Sequence, residues 1–218
     1  MARSASSRRQ QRRWPVAAGV AVGVVVVMAG AFAAHRATRS DVPDLTTVKG
    51  AFAAFVAVAD KGDYQALYPM LVRDIRDKID ETHANVRRAG EVIERSYPPA
   101  LKQQALQELG PEAVRRAPDP AHWFGARVGA TGKVAANLQE KMSSRLKRIE
   151  EKPEGSGHFV VTTVSGATLE FVRGGDGRFS LVPDPADVQQ LHYEYLKSIE
   201  SLNAAMKAAR TFEARPAR

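Results

Sequence analysis

The sequence predicts an α+β fold in which long amphipathic helices precede a small antiparallel sheet and a last long helix follows it. Apolar residues recur at spacings of three and four from Val48 to Tyr97, and the period drops to two between Phe159 and Leu181. From Val188 to Phe212 the helical spacing returns. Strands grouped after helices, rather than interleaved with them, argue for α+β.

The first element is a transmembrane helix. From Trp14 to Ala34 the chain runs 21 residues without a charged side chain. As a helix this run measures about 31 Å, close to the thickness of a bilayer's hydrocarbon core. Arg3, Arg8, Arg9, Arg12 and Arg13 precede it with no acid among them, so the positive-inside bias places residues 1–13 in the cytoplasm. The main body then lies outside, in the periplasm if the cell is bacterial. Ala31-Phe32-Ala33 has the small-x-small form of a signal cleavage site, but the apolar region of a cleaved signal is only about 7 to 15 residues. Length therefore favours an uncleaved signal-anchor. Gly19 and Gly23 form a GxxxG step on which two spans pack closely, although glycine is common in spans in any case.

This tail changes how the charge is read. The net charge is +8, yet residues 35–218 hold 27 Lys and Arg against 24 Asp and Glu, a net of only +3. A nucleic-acid partner is not indicated. The chain has no cysteine, which excludes disulfides, thiol chemistry and cysteine-held metal. The body must rely on its core, and about 175 residues can supply one.

Residues 35–44 read as a polar linker, with Pro43 and Asp44 suited to starting a helix. The body spans 45–213, followed by a tail, 214–218. Val48, Phe52, Phe55, Val56 and Ala59 predict an amphipathic helix over 45–61 that ends at Lys61-Gly62. Asp63 is placed to cap a second helix through Tyr64, Leu67 and Tyr68, bent or divided at Pro69. Leu71, Ile75, Ile79, Thr82, Val86, Ala89, Ile93 and Tyr97 form a narrow stripe on one long helix, stopped by Pro98 and Pro99. A short helix carrying Leu101, Ala105, Leu106 and Leu109 closes at Gly110-Pro111. Asp119 to Phe124 read as a buried aromatic connection.

Three strands follow, joined by turns at Ser165-Gly166 and Gly174 to Gly177, and Arg145 to Glu151 adds a fourth, more polar one. Asp184-Pro185 starts the last helix, with Val188, Leu191, Tyr195, Ile199, Leu202, Met206 and Phe212 on one stripe.

Ala59-Asp60-Lys61-Gly62-Asp63-Tyr64-Gln65-Ala66-Leu67-Tyr68 resembles the helix-break-helix that often opens proteins of the nuclear-transport-factor-two-like superfamily. Asp176-Gly177-Arg178-Phe179-Ser180-Leu181 is similar to the Asp-Gly-x-Trp ending of that superfamily's last strand, with Phe179 in the aromatic place. The long helix over 70–97, residues 98–135 and the terminal helix depart from the pattern. The resemblance implies a curved sheet wrapped on helices into a cone with a pocket. It does not choose between the superfamily's isomerases and dehydratases and its non-catalytic binding domains.

No catalytic set, cofactor motif or metal signature is readable. His35, His83, His122, His158 and His192 never form a close pair. His83 lies beside Asp80 and Glu81, where an acid-base role is conceivable, but a half-exposed helix histidine is the commoner case. Tyr64 and Tyr68 stand one turn apart and either point into a cone or simply pack with their hydroxyls at an edge. If a pocket exists, its candidate lining is Tyr64, Tyr68, His83, Trp123 and Phe124. Gly129 to Lys133 fails the phosphate-loop pattern, which needs glycine at Arg127 and Ser or Thr at Val134. Arg145, Lys147 and Arg148 read as the solvated, charge-guarded edge of the outer strand.

These features favour a single-pass membrane protein whose outer domain is a non-catalytic binding or assembly module. Two long apolar stripes beside one small sheet suggest a homodimer or another envelope protein as partner. The alternative is a small-molecule-binding or enzymatic cone.

Overall fold

The computed structural model of the chain describes residues 44–131 and 145–214. The tail 1–13, the apolar run 14–34 with Gly19 and Gly23, and most of the linker lie outside the described residues. Among the described residues no helix is long and apolar enough to cross a membrane. The described residues belong to one compact unit, and among them both apolar clusters draw on residues between Leu45 and Ala209. The described body therefore carries a core of its own.

Helix α1 (Val48–Lys61) starts three residues later than its periodicity suggests. Asp44 turns its carboxylate onto the Thr46 amide and hydroxyl, at 3.1 and 2.7 Å, and Thr47 caps the helix by accepting from the Gly50 amide at 3.0 Å. Gly62 ends α1 in the left-handed region, φ 66°, which a side chain would disfavour. Asp63 does cap the next element, accepting from the Ala66 amide at 3.3 Å. That element is a 3-10 helix, Tyr64–Met70, rather than an α-helix, and it holds Pro69, which has no amide to donate.

Helix α2 (Arg73–Ser96) buries Ile75, Ile79, Thr82, Val86, Ala89 and Ile93, the stripe read from sequence. His83 is buried with them rather than half-exposed: it keeps 6% of its surface, and its Nε2 donates to the Ala117 carbonyl oxygen at 3.0 Å. His83→Ala leaves that carbonyl unpaired beside a void. The expected loss is about 2 to 4 kcal/mol, read from urea unfolding.

Helix α3 (Pro99–Glu108) and the single turn α4 (Glu112–Arg115) lead to α5 (Pro120–Thr131). Residues 120–124 are thus the start of a helix, not a connection. Asp119 accepts from the His122 amide at 2.9 Å, and Pro120 occupies the first turn. Gly125 and Gly129 weaken the helical signal there. Gly125 is required by packing, because a Cβ on it would stand 2.9 Å from the Gln65 amide nitrogen in the 3-10 helix. Gly125→Ala is expected to destabilise the body by about 1 to 3 kcal/mol despite its better helix propensity, seen as a lowered melting temperature.

Strands β1 (Leu146–Glu151), β2 (His158–Thr163), β3 (Thr168–Arg173) and β4 (Phe179–Val182) form one antiparallel meander in sequence order. Its register pairs Val161 with Leu169 and Phe171 with Leu181. These four, with Thr163 and Phe179, are the buried face that packs on the helices. Arg145, Lys147 and Arg148 are exposed on and beside β1, where Arg148 and Lys152 pair with Glu150. At the other edge, the Val72 amide donates to the Leu181 carbonyl at 3.1 Å and the Phe179 amide to Leu45 at 2.7 Å, covering β4.

The last helix, α6 (Pro185–Glu213), runs in the same direction as α2 and alongside it. Asn85 donates to Ser198 at 3.2 Å, Ser96 donates to Glu213 at 2.9 Å, and the Tyr97 and Phe212 rings meet edge to face at 5.0 Å. The most buried residues of α6 are Ser198, Ala205 and Ala209, not the larger stripe, of which Met206 is 41% exposed. Small side chains let the two helices approach closely and rotate the contact face toward themselves. The stripe of α2 is thus covered by the small-residue face of α6.

Candidate functional site

A cavity of about 400 Å³ lies between the buried face of the sheet, the start of α2, α5 and the first turns of α6. Phe55, Leu67, Leu71 and Ile75 line it from the α1 to α2 segment, and Leu169 and Leu181 from the sheet. From α5 come Trp123 with Arg127 and Phe124 with Val128, two pairs four residues apart and hence on one helix face. Pro183 turns the chain out of β4, and Asp184, Asp187, Val188, Gln190, Leu191 and Glu194 then complete the wall from the N-terminal end of α6.

The charged groups come only from α5 and this end of α6. Arg127 grips Glu194 with two prongs, Nε to Oε2 at 3.0 Å and Nη2 to Oε1. Gln190 adds a bond to Glu194 Oε1 at 3.0 Å. This pair ties α5 to α6 across the cavity wall, and the Glu194 side chain is only 15% exposed. Arg127→Ala strands that carboxylate. The expected cost is about 1 to 3 kcal/mol, with faster hydrogen exchange over 185–195 than in the intact protein.

Trp123 is 3% exposed, and its indole Nε1 has no hydrogen-bond partner among the described residues. It also lines a second hollow of about 200 Å³.

Of the residues singled out from sequence, Trp123 and Phe124 line the larger cavity, whereas Tyr64, Tyr68 and His83 do not. His83 is held by Ala117, and Tyr64 and Tyr68 are half-buried against the main core. The Tyr68 hydroxyl donates to Asp80. Burial, with the Asp80 carboxylate beside it, pushes the Tyr68 phenol well above the usual tyrosine range. A phenol whose folded pKa is raised stabilises the fold fully below its unfolded pKa, near 10, and that contribution is lost as pH rises beyond it. Absorbance titration is expected to show Tyr68 ionising only well above pH 10, and earlier in Asp80→Asn.

Among the described residues the cavity wall carries no Ser, Thr, Cys, Lys, His or Tyr, and so no hydroxyl, thiol, amine or imidazole for nucleophilic catalysis. Among the described residues, no three His, Cys, Asp or Glu side chains gather as a metal site. The chemistry of the cavity is a hydrocarbon interior with a charged margin, in which Arg127 and Glu194 pair and Asp184 and Asp187 add two carboxylates. Comparison of the chain with protein-family models, with curated proteins and with solved structures returned no match.

Proposed function

We propose that this is a single-pass, membrane-anchored binding protein whose extracytoplasmic body holds a small apolar molecule in the cavity between α5, the sheet and the start of α6. The cavity carries this reading. Its volume of about 400 Å³ falls in the range of ligand pockets, roughly 300 to 1,000 Å³. Protein interiors otherwise fill such space with side chains. Its lining is mainly aliphatic and aromatic, which suits an apolar guest and offers little to a polar substrate. The resemblance of Ala59 to Tyr68 and Asp176 to Leu181 to nuclear-transport-factor-two-like proteins supports the same reading, since it implies a pocket between sheet and helices. Binding is preferred to catalysis because the described wall offers no hydroxyl, thiol, amine or imidazole and Glu194 is already paired with Arg127.

A ligand that binds only the folded body raises its stability by about 2.7 kcal/mol at a hundred times its dissociation constant. Melting of residues 43–218 with 2-decanone is expected to show such a rise, and an unchanged melting temperature at saturating ligand counts against the proposal. The anchor rests on the uncharged run Trp14 to Ala34. N-terminal sequencing of the mature chain tests it, a start near Ala34 meaning cleavage and release.

A second reading, self-association, draws on Tyr193 and Leu196, which are 61% and 46% exposed on α6. Light scattering that finds residues 43–218 strictly monomeric removes it.

A further inference from the structure

We propose, building on the reading of the cavity as a ligand site, that its guest is a cationic amphiphile, an apolar body carrying a protonated amine that rests against Asp187, with Asp184 beside it. The described wall holds three carboxylates, Asp184, Asp187 and Glu194, and one cation, Arg127. Arg127 and Glu194 offset each other through their two-pronged bond, so the remaining charge of the described wall comes from the two aspartates. Positions 184, 187, 191 and 194 recur at spacings of three and four, which sets both aspartates on one face with Leu191 and Glu194. Asp184 stands at the N-cap of α6, yet its side chain makes no cap hydrogen bond. Among the described residues Asp187 has no hydrogen-bond or ion-pair partner.

The wall also fixes where each part of such a guest lies. Phe55, Leu67, Trp123 and Leu181 are buried, whereas Asp187 is exposed at the N-terminal end of α6. An unpaired charge among the buried side chains would be costly, so the apolar body belongs there and the amine at the aspartates, where it keeps part of its hydration. The α6 dipole presents about half a positive charge at this end, and the full charge of Asp187 alone outweighs it. An anionic head meets the opposite balance, since the one cation of the described wall is already engaged by Glu194. At the packing density of protein interiors the cavity holds on the order of fifteen heavy atoms, enough for a ten-carbon chain with a small head.

The test compares decylamine, 1-decanol and decanoate on residues 43–218, the compact unit that holds both apolar clusters. At neutral pH the three share a chain and differ in the charge of the head. In dilute buffer decylamine is expected to bind about fivefold tighter than the alcohol, and decanoate about fivefold weaker. The amine's advantage is expected to shrink to about twofold at ~0.5 M salt, as screening of an exposed pair requires, and to fall about threefold in Asp187→Asn. The salt series needs no variant, so it decides the matter even where Asp187→Asn disturbs the start of α6. Decylamine binding no tighter than decanol, or decanoate binding as tightly as decylamine, overturns the positive charge and leaves the cavity reading intact. An amine preference indifferent to salt and kept in Asp187→Asn places the head elsewhere and overturns the proposal too. If none of the three binds, the cavity reading falls, and this inference with it.

Discussion

Phe55→Ala is expected to lose about 3 to 5 kcal/mol, a large part of the 5 to 15 kcal/mol that holds an ordinary domain together. Phe55 is fully buried in the middle of α1 and meets Phe171 of β3 edge to face at 6.3 Å. It joins the first helix to the sheet, and it also lines the cavity. Truncation therefore adds a void to a site that already has one, and neighbours that line open space on one side have little to collapse onto it. Urea unfolding is the measurement, with the midpoint falling and the slope unchanged. A loss below about 1 kcal/mol would mean that α1 is not anchored on the sheet through this ring.

Leu191→Trp is expected to reduce binding of an apolar guest by about a hundredfold or more while leaving the fold intact. Leu191 is half-buried on α6, in the cavity wall opposite no charged partner of its own. An indole there extends into existing space instead of forcing apart packed atoms, so its effect on stability is expected to stay within about 1 kcal/mol. Loss of binding with retained melting temperature separates occupancy of the cavity from damage to the fold. A variant that binds normally would place the guest elsewhere.

Much of this architecture was legible because its signals are local. The stripe on α2 is the face that is buried, and the alternation of Val161 and Thr163 with Val160 and Thr162 reports which side of β2 meets the helices. The polar strand β1 followed from its charges and its place before the meander. What was not legible depends on partners distant in sequence. Residues 120–131 hide a helix because Gly125 serves a contact with Gln65, and its cost to helix propensity masks the cap at Asp119. The buried face of α6 centres on Ser198, Ala205 and Ala209, small residues that carry little hydrophobic signal yet permit close approach to α2.

The candidate site was visible only in part for the same reason. Trp123 and Phe124 stood out as aromatics, but Arg127 and Glu194 are 67 residues apart and become partners only in the folded body. Tyr64, Tyr68 and His83 drew attention by residue type, and Tyr64 packs against the main core while Tyr68 meets Asp80 and His83 the Ala117 carbonyl rather than a cavity. One signal could have been used: Trp123, Phe124, Arg127 and Val128 share one face at helical spacing, which becomes readable once 120–131 is taken as a helix.

Isothermal titration of residues 43–218 with 2-decanone, run beside Leu191→Trp at several temperatures, bears most directly on whether the cavity is a binding site. Saturation at one ligand per chain, a negative heat-capacity change from burial of apolar surface, and loss of the signal in the variant are the expected results. Binding that never saturates, or that proceeds equally in Leu191→Trp, would contradict a ligand site between α5, the sheet and α6.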